Sequence, residues 1–168
     1  MNALFIGRFQ PFHNGHVHVI QHICDNYDEF IIGIGSSQYG YTLENPFTAN
    51  ERKCMIEQSL EGAGAKNHRI MFIPDIHNPP KWVAHVLSVI PDFDVVISNN
   101  TLTKRLFSEK GYVVKETPIY KRTTYSGKEI RRRMINNESW KNLVPEAVCK
   151  IIEEIDGVQR LIELTEHR

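Results

Sequence analysis

Residues 3–6 are apolar without a break, Ala3-Leu4-Phe5-Ile6, and run into Gly7. That predicts a strand buried on both faces, as in a parallel sheet. From residue 13 the spacing turns helical, with Val17, Ile20 and Ile23-Cys24 on one stripe. A second apolar run, Phe30-Ile31-Ile32-Gly33-Ile34, ends in the Gly35-Ser36-Ser37 loop, and strand, helix, strand is the crossover unit of a parallel sheet. Further strands are predicted at 69–73, cut off by Pro74, at 94–98, and briefly at 112–114. Between them, Thr48 with Glu51 is a capping box opening a helix through Arg52, Met55, Ile56 and Leu60. A short helix follows over 81–87, and another carries Leu102, Leu106 and Phe107 from a start at 99–101. The alternation predicts an α/β fold, a doubly wound parallel sheet of about five strands flanked by helices. All 168 residues then form one domain, mainly helical from about 118 onward. Its final helix starts at Val144-Pro145-Glu146 and turns Val148, Ile151, Ile152 and Ile155 to the core.

Composition narrows the partners. The apolar share is 41% and the formal net charge is zero, an ordinary globular balance with no general nucleic-acid-binding surface. No run is long enough to cross a bilayer, and the start is not a signal peptide, so a reduced, cytoplasmic protein is expected. Cys24, Cys54 and Cys149 lie far apart in apolar helical patterns, which predicts buried free thiols. The eight histidines are not in ligand pairs, and no carboxylate cluster suggests a protein-held metal.

Two stretches carry chemistry. In the first, Arg8, His13 and His16 collect after the first strand, at the carboxyl edge where open α/β sheets bind ligands. Three residues apart at a helix start, both imidazoles can face one anion, and Gly15 leaves room for it to approach the backbone. The helix N-terminus adds N–H donors and a positive dipole end. The second stretch is Tyr125-Ser126-Gly127-Lys128-Glu129-Ile130-Arg131. Ser126 with Glu129 reads as another capping box, and Arg131, about a turn on, can fold back to an anion at that helix start. Arg132 and Arg133 read mainly as a solvated basic face. Two cationic helix starts suit a nucleoside triphosphate lying along one sheet rim.

GRFQPFHNGH, residues 7–16, resembles the HxGH signature of the nucleotidylyltransferase superfamily, and its full ten-residue form resembles the archaeal nicotinamide-mononucleotide adenylyltransferases. The second stretch resembles the ISxTxIR-type motif that accompanies it, with Lys128 in place of the usual Thr. The likeness extends over IGIGSSQ, TLENPFTANER, the Trp82 segment, SNN and YSGKEIRRRM, nearly the whole chain. It implies a Rossmann-like fold and transfer of AMP from ATP to nicotinamide mononucleotide, giving NAD and pyrophosphate. It implies catalytic roles for His13, His16, Arg8 and Arg131, and ATP contacts at Gly7, Phe9, Gly15, Asn100, Tyr125, Ser126 and Gly127. Acceptor contacts are implied at Ser36, Ser37, Gln38, Asn78 and Trp82, whose indole would stack on the pyridinium ring.

The expected cofactor is Mg²⁺ or a similar ion, carried on the ATP phosphates without a protein metal site. The expected partners are the two substrates, with no nucleic acid and no membrane, and the family implies a homo-oligomer, often a hexamer. Pro79 and Asn99 depart from the family's usual Asn and Gly, which bears on the carboxamide and adenine sides. Three alternatives stand beside this reading. One is adenylyl or cytidylyl transfer to another phosphorylated acceptor, such as phosphopantetheine or a phospho-alcohol. Another is a nucleotide-sensing domain without turnover. The last, a fragment like a class I tRNA synthetase, lacks a tRNA-binding surface.

Overall fold

The structure is a computed structural model that describes residues 1–65, 67–117, 121 and 123–167. The chain divides into two compact units, each assembled from separate stretches of sequence.

The first unit comprises the described residues of 1–7, 19–37 and 66–118. Its strands are β1 (Asn2–Gly7), β2 (Glu29–Gly35), β3 (His68–Ile73), β4 (Val95–Ile97) and β5 (Val113–Lys115). All pair in parallel, in the order β3-β2-β1-β4-β5. That order reverses at β1, the switch point of a doubly wound sheet, so the predicted topology holds. The central strands are apolar because both faces are covered: Leu4, Ile31 and Val96 are at most 1% exposed. They pack with Ile73, Val83, Val86, Ile90, Phe93 and Phe107. Phe93, Phe107 and Tyr112 meet ring to ring at 5.3–6.1 Å. Helix α3 (Trp82–Val89) packs on β3, and α4 (Thr101–Glu109) on β5.

The second unit comprises the described residues of 8–18, 38–65 and 119–168. Its helices α2 (Ala49–Gly62), α5 (Gly127–Ile135), α6 (Glu146–Glu154) and α7 (Gly157–Glu166) pack in the pairs α2–α6, α5–α7 and α6–α7. The Thr48–Glu51 capping box forms in full: Glu51 N–H donates to Thr48 Oγ1 and Thr48 N–H to Glu51 Oε1. Arg160 of α7 then grips Glu51 through both of its terminal nitrogens, at 2.7 and 2.8 Å, and also donates to Pro46 O. Helix α1 (Asn14–Asn26) continues from one unit into the other along the chain, with Ile20 and Ile23 buried.

Two expectations change. The single final helix is two, because Asp156 takes a left-handed conformation at φ 55° and starts α7 afresh. Ile155, at the break, is only half-buried. The cysteines are free but not buried: Cys24 and Cys54 are exposed and Cys149 is half-buried, each just off the buried face of its helix. Pro118, where the helical tail was expected to begin, lies outside the described residues.

Candidate functional site

Arg8 is the first residue after β1, and the chain then turns sharply through Phe9, at φ 55°, and a cis Gln10–Pro11 bond. Phe9, Gln10, Pro11 and Phe12 are all buried. Gln10 is held by an amide-to-backbone pair, donating from Nε2 to Phe47 O and accepting at Oε1 from Phe47 N–H, both at 2.9 Å.

His13 and His16 cap α1 on one another. Gly15 N–H donates to His13 Nδ1, and His13 N–H donates to His16 Nδ1, both at 3.1 Å. This reciprocal arrangement is that of a capping box, with imidazole nitrogens where Ser and Glu usually stand. His13 O accepts from His16 N–H and Val17 N–H, closing the first turn. The N–H groups of His13 and Gly15 are therefore taken by the two rings, rather than offered to a ligand as the sequence reading had it. The rings stack at 3.6 Å, with Phe12 and Phe9 against His16 at 5.5 and 4.7 Å. Burial pushes His13 down to about 4. Burial, then the neighbouring His13, holds His16 well below its usual value. Both are neutral at pH 7, and with each Nδ1 accepting, the ring proton lies on Nε2. The pair thus consists of two neutral rings of fixed tautomer, each with its proton on Nε2.

Helix α5 starts at the same place. Ser126 is its N-cap, accepting at Oγ from Glu129 N–H at 3.1 Å. The predicted capping box is only half made, because the Glu129 carboxylate turns to Arg132 and Arg133 instead. Arg132 bridges Glu129 and Glu138, so it and Arg133 are surface ion-pair residues. Arg131 folds back over its helix start, and its partner there is a backbone carbonyl: Nη1 donates to Gln10 O at 2.7 Å.

Two glycines let the helix starts meet. A Cβ on Gly15 would stand 2.9 Å from the His13 ring and 3.0 Å from Tyr125 Cβ. A Cβ on Gly127 would stand 2.7 Å from Arg131 Nη1 and 3.0 Å from Gln10 O. His13, Gly15, Tyr125, Gly127 and Arg131 are thereby in mutual contact or one residue removed, with His16 stacked on His13 and Ser126 between Tyr125 and Gly127. Arg8 is exposed, and its charge is felt by both Arg131 and Arg52. Burial first, then Arg8, brings each of those guanidiniums down to about 10. A cluster of like charges beside neutral N–H donors stabilises a polyanion and disfavours a bare cation.

In the first unit, Ser37 N–H donates to Ile73 O, and Ser36 beside it has φ 48°. His85 Nε2 lies 2.9 Å from Pro74 O, and the half-buried Trp82 indole lies 5.9 Å from the His85 ring. Ser36, Ser37 and Trp82 thus gather at the end of β3. Asn78 precedes a 3₁₀ turn, Pro79–Lys81, whose first position suits Pro79. Gly7 ends β1, and Gln38 is exposed in the second unit. Asn100 is exposed and spends Oδ1 on capping α4 through Thr103 N–H at 2.9 Å. Asn99 turns to Thr117, accepting its N–H and donating to its carbonyl.

Two residues were missed by the sequence reading. Gln10 lies inside the quoted motif but shows no charge or periodicity to mark it. Arg52 did leave a signal: it falls on the apolar stripe with Met55 and Ile56, and it is 0% exposed. Among the described residues no group of three or more His, Cys, Asp or Glu side chains could hold a metal ion. No helix among them is long and apolar enough to cross a membrane.

Residues 4–133 match the cytidylyltransferase-like family. A relative from Picrophilus torridus, a nicotinamide-nucleotide adenylyltransferase, is 49% identical over 99% of this chain and 98% of its own. Relatives of the same name from Methanolobus tindarius and Archaeoglobus fulgidus are 52% and 47% identical, covering 95% and 98% of this chain and 91% and 98% of theirs. Among solved structures, a bifunctional NMN adenylyltransferase/ADP ribose pyrophosphatase from Francisella tularensis, complexed with AMP and a Mn ion, superposes at a TM-score of 0.80. It is 24% identical, and the match covers 99% of this chain and 53% of that one.

Proposed function

Because the chain belongs to the cytidylyltransferase-like family, among the nicotinamide-nucleotide adenylyltransferases, we propose that the cluster after β1 and at the start of α5 is its adenylyl-transfer site. The protein transfers the AMP moiety of ATP to nicotinamide mononucleotide, forming NAD and pyrophosphate. The observation that carries the site assignment is the meeting of the two helix starts, with Arg131 bonded to Gln10 O and Tyr125 against Gly15.

A phosphate oxygen of the mononucleotide attacks the α-phosphorus of ATP. The new P–O bond forms as the bond to the β-phosphate breaks, and pyrophosphate carries off the electron pair. Such a transfer needs positioning and charge neutralisation more than a covalent nucleophile. Arg8 and Arg131 neutralise the triphosphate, while the Nε2–H groups of His13 and His16 donate to oxygens that gain charge. Both imidazoles start neutral, so they act as hydrogen-bond donors and the reaction asks no proton transfer of them. Gly7, Phe9, Gly15, Asn100, Tyr125, Ser126 and Gly127 complete the ATP side. Ser36, Ser37, Gln38, Asn78 and Trp82 serve the acceptor, with the indole against the nicotinamide ring. The site's donors are N–H groups suited to phosphate oxygens, so a divalent ion, Mg²⁺ in this reading, arrives on the triphosphate. It supplies further neutralisation of the leaving pyrophosphate when bound. The enzyme works in the cytoplasm as a homo-oligomer. The relatives' shared name over nearly their whole length favours the mononucleotide over phosphopantetheine as acceptor.

The test supplies ATP with nicotinamide mononucleotide, or with nicotinic acid mononucleotide, and follows pyrophosphate and dinucleotide together. NAD formation is expected, and His16→Ala should lower kcat roughly 10²–10³-fold with an unchanged circular dichroism spectrum. Tight ATP binding without dinucleotide formation would make this a nucleotide sensor.

A further inference from the structure

Arg52 is fully buried on α2, three and four residues before the buried Met55 and Ile56, on a stripe where an aliphatic side chain would fit the pattern. Burying a guanidinium is costly unless its N–H groups are satisfied. Here it reaches three backbone carbonyls: Nε donates to Thr48 O at 3.2 Å, Nη1 to Arg8 O at 2.9 Å and Nη2 to Tyr39 O at 3.1 Å. Thr48 is the N-cap of its own helix, fixed by the capping box, so the guanidinium is braced from behind. In front it holds two loops, one carrying Arg8 and one next to Gln38.

The grip on Arg8 has a particular geometry. Phe9 adopts φ 55°, a left-handed conformation that a bulky residue rarely takes and that persists only where the surroundings enforce it. The carbonyl before Phe9 accepts from Arg52, and the carbonyl after it, that of Gln10, accepts from Arg131. An arginine thus clamps each side of the strained residue, Arg52 buried and Arg131 half-buried. The direction in which Arg8 leaves the backbone is set by the peptide that Arg52 holds.

Resting on the adenylyl-transfer reading, we infer that Arg52 is a positioning residue for that reaction, aiming Arg8 at the triphosphate through the backbone. Lysine keeps the charge but cannot serve three separated carbonyls with the same fork. A displacement of about 1 Å at a phosphate-binding group costs about 10²-fold in rate.

The experiment is a double-mutant cycle of Arg52→Lys with Arg8→Ala, read as kcat/KM for ATP in NAD formation, with melting temperatures alongside. Arg52→Lys should lower kcat/KM about 10²-fold when Arg8 is present, with KM for ATP raised. In the Arg8→Ala background it should lower it less than about threefold, since the group it aims is already gone. The same factor in both backgrounds, or no loss at all, would overturn the inference and leave Arg52 with a structural role only. Arg52→Gln, which buries no charge, runs the same cycle should the lysine variant fail to fold. Wild-type protein that makes no NAD would instead sink the proposed function, before either variant is read.

Discussion

His13 and His16 show why an H-x-G-H spacing has chemical content. At a helix start, positions N-cap and N3 can each accept one backbone N–H, and imidazole does this with one nitrogen while keeping the other as a donor. Serine and glutamate fill the same cap but offer no second donor of fixed direction. The intervening glycine is needed because a Cβ there would stand 2.9 Å from the His13 ring. The cost appears in acid. His13 takes a proton at pH 6.5 when unfolded, but only near 4 when folded. Within that window the unfolded chain binds more protons, so stability falls as pH drops from 6.5 toward 4 and the His13 contribution levels off below that. Between pH 7 and pH 5 the loss from His13 comes to about 2 kcal/mol. Urea unfolding of the ligand-free protein at those two pH values should show it, and His13→Asn should reduce it. An identical loss in the variant would assign the pH dependence to other groups.

At the scale of elements, α5 works through its first turn. Ser126 caps the helix with a single bond, because Glu129 is drawn to Arg132 and Arg133, and Arg131 turns back over Gly127 to Gln10 O. The close approach leaves no room for a methyl group: an alanine at 127 would meet Arg131 Nη1 at 2.7 Å and Gln10 O at 3.0 Å. The side chain can move but the carbonyl cannot, so Gly127→Ala should expel the guanidinium. Losing that charge-assisted hydrogen bond is expected to cost about 1.5–3 kcal/mol. The misplaced arginine should lower kcat/KM about 10²-fold. Calorimetry and steady-state kinetics on the variant check both, and wild-type values in either would contradict the packing. Serine or threonine substitutions at Lys128, which is exposed, should by contrast be near-neutral in stability.

At the scale of the whole molecule, the residues proposed to bind phosphate come from distant stretches of sequence. The second unit alone brings together residues 8–18, 38–65 and the described part of 119–168, so Arg8, Arg52 and Arg131 are neighbours in charge despite lying far apart in the chain. Its brace runs from α7, where Arg160 holds Glu51 and Pro46 O, to Phe47 and so to the Gln10 amide. The first unit carries the sheet, with the strand order that places its switch point at β1. Assembly belongs to this scale as well. A hexamer of the 19.5 kDa chain would weigh about 117 kDa, six times the chain mass, and light scattering behind size exclusion should report a multiple of the chain mass. A monomer at working concentration would remove the homo-oligomer from the proposal.

The sequence by itself determined the elements whose signals are local. Unbroken apolar runs gave the central strands, because both their faces are covered, and the Thr48–Glu51 spacing gave the start of α2. The motif at 7–16 and the block at 125–134 were legible because capping, glycine placement and cation spacing act over a few residues. Only the tertiary structure decided what depends on long-range carbonyls. Arg52 on an apolar stripe reads as an anomaly until Arg8 O, Tyr39 O and Thr48 O converge on it. Gln10 carries no mark until Phe47 pairs with its amide. The break at Asp156 and the exposure of the cysteines were hidden in the same way: a helical stripe shows which side is apolar, but neighbouring elements decide how far around it burial extends.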